Sequence, residues 1–154
     1  MRPGFMMNST TCTLRVTATD RDVARVSVRR HQFTVRRPIE FDEASPRIAA
    51  LEYALGAVAG EVVSGLRAFA WRRRVDVDQI EAVVTGELEH AMAYLEVVGE
   101  SGRPRIARVH LKVFVASPDE QGVRRIWEEM LDRLPLVCTL RAAVRLDLEL
   151  MCTA

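Results

Sequence analysis

From Ile48 to Phe69 the apolar side chains Ile48, Leu51, Leu55, Val58, Val62, Leu66 and Phe69 recur at steps of three and four, while the segments on either side alternate at steps of two. One long helix is therefore set between strand-forming stretches, and its apolar stripe must be buried against sheet. That requirement restricts the chain to an α+β arrangement. Ser45 and Pro46 supply an N-cap followed by proline at the first helical position, and Arg72, Arg73 and Arg74 close the helix where positive charge suits its dipole.

Three short strands precede this helix. Cys12, Leu14 and Val16 share one side of the first, and the same alternation surrounds Val26 with Val28 and Phe33 with Val35. After the helix, Ile80, Ala82 and Val84 alternate with Glu81 and Thr85 in a strand that continues through GELEHAMAYLEVVGESGRP to an exposed turn at Gly99 to Pro104. A further strand sets Ala107, Val109, Leu111, Val113 and Val115 on one face, with Arg108, His110 and Lys112 on the solvated one. SPDE then forms a capping box between Ser117 and Glu120, and Val123, Ile126, Trp127, Met130 and Leu131 follow at helical spacing until Pro135. In the last strand Val144, Leu146, Leu148 and Leu150 point inward. The predicted order is βββ-α-ββ-α-β with antiparallel sheet, in a single domain over residues 11–154 behind a disordered tail at 1–10.

Charge narrows the function classes. With 22 basic against 21 acidic residues the formal charge is +1, so no global field favours nucleic acid or an anionic membrane. No apolar run approaches the roughly 18 residues of a membrane span and the opening has no signal-peptide core, so the expected location is cytoplasmic. Three cysteines, Cys12, Cys138 and Cys152, fit neither a disulfide framework nor a zinc set. The arginines at 25, 29, 30, 36 and 37 offer an anion or nucleic-acid patch as one reading, but they lack accompanying aromatic residues for stacking, which favours a solvated strand face. His31, His90 and His110 lie at no metal-binding spacing, and no P-loop, dinucleotide fingerprint or GxSxG elbow is present. No metal or cofactor is expected.

What remains is Glu61. Its helical neighbours are Ala54, Ala57, Val58, Ser64, Gly65 and Ala68, with Gly56 and Gly60 beside them, so a carboxylate sits on a face small enough for another element to approach closely. Buried alone it would cost several kcal/mol, about 2 to 7 for a polar group and more for a charged one, so a partner is required.

ALEYALGAVAGEVVSGL, RRRVDVDQIEAVVTGEL and RLPLVCTLRAAVRLDLEL, in this order of elements, resemble the OsmC/Ohr superfamily, the osmotically inducible and organic-hydroperoxide-resistance proteins, from about Arg29 to Leu150. Members carry a Leu-Glu-x-Leu-Leu stretch and a small-residue run ending in a redox cysteine on the central helix, then a Cys-Pro or Ser-Pro step before Thr-Leu. Leu51, Glu52 and Tyr53 match the first motif, and Pro135, Thr139 and Leu140 the second; the two cysteine positions fall on Glu61 and Leu134. Cys138 lies four residues beyond the second.

The resemblance implies an OsmC-like fold and an intertwined homodimer. It also implies an arginine that holds the thiolate in relatives, here placed opposite Glu61 as Arg29 or Arg30, from the same or the other subunit. Peroxide reduction needs a thiolate to attack the O–O bond and a second thiol to resolve the sulfenic acid, and neither glutamate nor leucine can do this. Two classes follow. The first is a dimer that binds a small apolar or anionic ligand, or regulates, with Glu52, Glu61, Arg29, Arg30, Leu134 and Cys138 around its pocket. The second is an enzyme, a hydroperoxide reductase using Cys138 as a displaced thiol or a catalyst with Glu61 as general base.

Overall fold

A computed structural model describes residues 10–37 and 44–153. The chain divides into two compact units, residues 1–50 and residues 51–154.

In the first unit β1 (Arg15–Ala18), β2 (Val23–Val28) and β3 (His31–Arg36) form an antiparallel sheet in that order. The central strand β2 carries the buried Val23 and Val26. Arg29 and Arg30 make the tight turn between β2 and β3, and Arg29 takes a φ of 53°, a region uncommon for residues other than glycine. Asp22 accepts from Arg36 Nε at 2.7 Å, and this bond lowers its carboxyl below the usual range. The tail expected at 1–10 lies almost wholly outside the described residues.

The second unit opens with α1 (Ala50–Arg73), whose buried residues are Val58, Val62 and Leu66 of the stripe read from the sequence, together with Ala70, which lies outside that stripe. It begins at Ala50 rather than at Pro46, so Ser45 does not cap it. Next come β4 (Gln79–Glu89), a short α2 (Ala91–Tyr94), β5 (Arg105–Ala116), α3 (Glu120–Leu131), α4 (Pro135–Arg141) and β6 (Arg145–Thr153). The second sheet has the order β4-β5-β6. β4 and β5 are antiparallel from Gln79↔Ala116 to Glu89↔Arg105, whereas β6 runs parallel to β5 from Arg108↔Arg145 to Ala116↔Thr153. The expectation of an all-antiparallel sheet is corrected here. Period-two alternation looks the same in either direction, and it is the helical crossover through α3 and α4 that returns the chain to the start of β5.

Three further readings change. The capping residue of α3 is Asp119, which accepts from Gly122 N at 2.8 Å; Ser117 instead donates to Asp76 O at 2.5 Å and accepts from Asp119 N. Pro135 does not simply stop a helix but starts a new one, as its fixed φ and missing N–H allow. The strand expected to run on past Glu89 turns instead into α2, with His90 at a positive φ of 54°.

The core of this unit joins Val62, Leu66 and Ala70 of α1 to Leu111, Val113 and Val115 of β5 and to Val123, Ile126, Trp127, Met130 and Leu131 of α3. Glycines set two close approaches. A Cβ on Gly86 of β4 would lie 2.9 Å from Leu55 Cδ1, and one on Gly65 would lie 2.9 Å from Leu134 Cδ2 and 3.2 Å from Met130 Sδ. On the outer sheet face Arg108 Nε donates to Asp147 at 2.5 Å, and Glu149 meets His110 Nε2 at 2.8 Å and Lys112 at 3.7 Å. His110, expected to be solvated, is thus half-buried and paired. The bonds from Arg108 and from His110 hold the Asp147 and Glu149 carboxyls below their ordinary values.

Candidate functional site

α4 opens in an unusual way. Its N-cap is Leu134, whose side chain cannot accept a hydrogen bond, and its first residue is Pro135, which has no N–H. The first donors of the helix are therefore the N–H groups of Leu136 and Val137, which would otherwise lack an acceptor.

Glu61, at the middle of α1, supplies it. Leu136 N donates to Glu61 Oε2 at 3.0 Å and lies 3.3 Å from Oε1, and Val137 N donates to Oε2 at 3.3 Å. A carboxylate from one helix thus caps another that follows it by more than seventy residues. Negative charge at a helix start also meets the positive end of its dipole. The half-buried carboxylate on the small-residue face is compensated by backbone N–H groups.

Leu134 lies at the same place. It is 6% exposed and packs over Gly65, one turn along α1 from Glu61, so the glycine leaves the space that the leucine side chain fills. Cys138, on the next turn of α4, donates its N–H to Leu134 O at 2.9 Å and lies with Sγ 3.8 Å from Leu131 O. Its side chain is exposed. The structure therefore brings Glu61 and Leu134 together at the start of α4, with Cys138 one turn further along that helix.

Glu52 does not join them. Nine residues separate it from Glu61, which on a 3.6-residue helix sets the two on opposite sides and about 13 Å apart along the axis. It lies exposed in the first turn of α1, where negative charge suits the dipole. Arg29 and Arg30 are exposed at their hairpin turn in the first unit. Sequence reasoning missed the roles of Leu136 and Val137, which contribute through main-chain N–H groups. Only Leu-Pro at a helix start, with no side-chain cap, hinted at a cap from elsewhere.

Apart from Val58, Glu61 and Gly65, the small-residue face of α1 is exposed. Gly56 and Gly60 have nothing within 4 Å of where a Cβ would lie, and Ala54, Ala57, Ser64 and Ala68 are exposed. Among the described residues no cluster of three or more His, Cys, Asp or Glu is arranged to hold a metal ion, and no helix is long and apolar enough to cross a membrane.

These features define a class: an α+β protein with two three-stranded sheets and a long helix whose midpoint meets the start of a short, proline-led helix. The family model of OsmC-like proteins matches residues 42–149, most of the chain, and the chain belongs to that family. Similar solved structures include an OsmC-like protein from Mycoplasma pneumoniae, with a TM-score of 0.76 and 13% identity over 94% of this chain and 99% of that one. An organic hydroperoxide resistance protein OsmC from Legionella pneumophila gives 0.68 and 11% over 93% and 99%. The organic hydroperoxide resistance protein OhrB of Bacillus subtilis gives 0.61 and 18% over 90% and 97%. At such identities the likeness is one of fold. No curated protein sequence matches the chain significantly.

Proposed function

We propose that this OsmC-family chain is a homodimeric module that binds a small apolar or anionic ligand, or regulates, without turning over peroxide. Glu61 and Leu134 take the places of the two redox cysteines. The observation that carries this reading is the Glu61 carboxylate spanning Leu136 and Val137: the position is used for a structural contact, by a group with no nucleophilic sulfur. Leu134, the partner position, is buried against Gly65 and has no thiol to resolve a sulfenic acid. An arginine from the first three strands, Arg29 or Arg30, belongs to the same proposal as a counter-charge for Glu61, from the same subunit or a second one. The uncovered small face of α1 supports the dimer, since a bare helix side with Gly56 and Gly60 allows close approach by a second copy.

One observation favours an enzyme reading instead. Cys138 is an exposed thiol one helical turn from Leu134, at the middle of the short helix that Glu61 caps. Consumption of an organic hydroperoxide with dithiothreitol as reductant, compared between the wild type and Cys138→Ser, separates the two. The binding module gives no consumption above the protein-free rate in either. Consumption by the wild type that disappears in Cys138→Ser overturns it in favour of a displaced thiol.

A further inference from the structure

Where β4 ends and β5 and β6 begin, beside the end of α4, the chain forms an open cavity of about 370 Å³. Its lining includes the small residues Ala107, near the start of β5, and Ala142 and Ala143, just after α4, beside Ile106 and Val144. Three arginines, Arg105, Arg141 and Arg145, and a single carboxylate, Glu89, stand around it. The start of β5, the end of α4 and the start of β6 each place one arginine along the same space, Arg141 and Arg145 being only four positions apart in the chain. A bulge between Glu87 and Leu88 shifts the pairing of β4 just before Glu89 and Arg105 meet.

Each arginine is steadied by one acid through part of its donor set. Arg105 Nε donates to Glu89 at 2.7 Å, Arg141 Nη1 to Asp132 at 2.9 Å and Arg145 Nε to Asp147 at 3.4 Å. A guanidinium carries five N–H donors in a rigid fork, so the Nη groups of Arg105 and Arg145 and Nη2 of Arg141 keep donors with no acceptor among the described residues. Such donors match the oxygens of phosphate and carboxylate groups. We propose that this cavity is a binding site for a small multivalent oxyanion, a phosphate-bearing or polycarboxylate compound. It is separate from the Glu61 and Leu134 positions. The site is open to water and its arginines already have acidic neighbours, so binding falls as salt rises.

Calorimetric titration of the full chain at low salt with inorganic pyrophosphate, and in parallel with citrate as the carboxylate counterpart, tests the proposal. Saturable binding of either probe is expected, weakened at least about tenfold in the double variant Arg141→Gln/Arg145→Gln, or about 1.4 kcal/mol. Ala143→Glu, which adds a negative charge to the exposed cavity lining without replacing an arginine, is expected to abolish it. Arg124→Gln, on α3 and outside the cavity, should leave it unchanged. The absence of saturable binding by both probes, or binding that survives Arg141→Gln/Arg145→Gln and Ala143→Glu in folded protein, overturns the assignment.

Discussion

Replacing Glu61 by alanine isolates the contact on which the site depends. The substitution leaves the first two donors of α4 without an acceptor, in a helix whose own N-cap, Leu134, offers none. Loss of a side-chain cap costs about 0.5 to 2 kcal/mol, and hydrogen bonds to a charged group contribute about 1.5 to 3 kcal/mol each when short and buried. Here the bonds are 3.0 to 3.3 Å long and Leu136 is exposed, so water replaces part of what is lost and about 1 to 2 kcal/mol is expected. For a chain of this size that lowers Tm by about 2 to 8 °C. Glu61→Gln keeps an acceptor oxygen but not the charge, and should cost less than about 1 kcal/mol. Calorimetry measures both, and amide hydrogen exchange locates the effect: Leu136 and Val137 should exchange up to about tenfold faster in the alanine variant. A Glu61→Ala protein that melts within about 1 °C of wild type and exchanges normally at both amides refutes the capping role. A loss of about 3 to 5 kcal/mol would instead point to a desolvated ion pair, the arginine counter-charge proposed for Glu61.

Gly60→Ala should stabilise the isolated fold by about 0.5 to 1 kcal/mol, since a Cβ there meets nothing and alanine is the better helix former. If the α1 face is the dimer seam, the same change weakens self-association in sedimentation equilibrium, and an unaltered or stronger association would remove that surface from consideration. Gly65→Val should destabilise by about 1 to 3 kcal/mol, because Leu134 and Met130 already fill the space; urea unfolding with an unshifted midpoint would contradict this. Asp22, Glu129, Asp147 and Glu149 have carboxyls held below their ordinary values, chiefly by hydrogen bonds from Arg36, Arg73, Arg108 and His110 respectively. A folded-state value below the unfolded one means that the unfolded chain binds more protons, so stability is full above the unfolded range near pH 4 and falls as pH drops through the lower folded values. Denaturant unfolding at stepped pH checks the sign, and stability that rises on acidification there would reverse it. Burial raises the Cys152 thiol above its ordinary value, whereas Cys12 and Cys138 are exposed, so an aromatic disulfide reagent near neutral pH should modify those two before Cys152; mass spectrometry finding Cys152 modified first would contradict the burial.

Local periodicity was enough to define most of the elements. The three-and-four spacing from Ile48 to Phe69 is a property of one segment, and so are the alternation around Val109 to Val115 and the terminal run Leu146 to Leu150; each becomes the expected helix or strand. The motifs around Leu51 to Leu66 and Pro135 to Leu140 were likewise enough to place the chain in its family. Sequence could not give the direction of β6 beside β5, because alternating side chains look alike in parallel and antiparallel pairs and only the crossover decides. Nor could it give the acceptor for α4. Backbone N–H groups carry no residue identity, so a cap formed by Glu61 on Leu136 and Val137 exists only once packing has set two distant helices side by side. The arginine-rimmed cavity arises in the same way, from strand ends and a helix end that meet only in the folded unit.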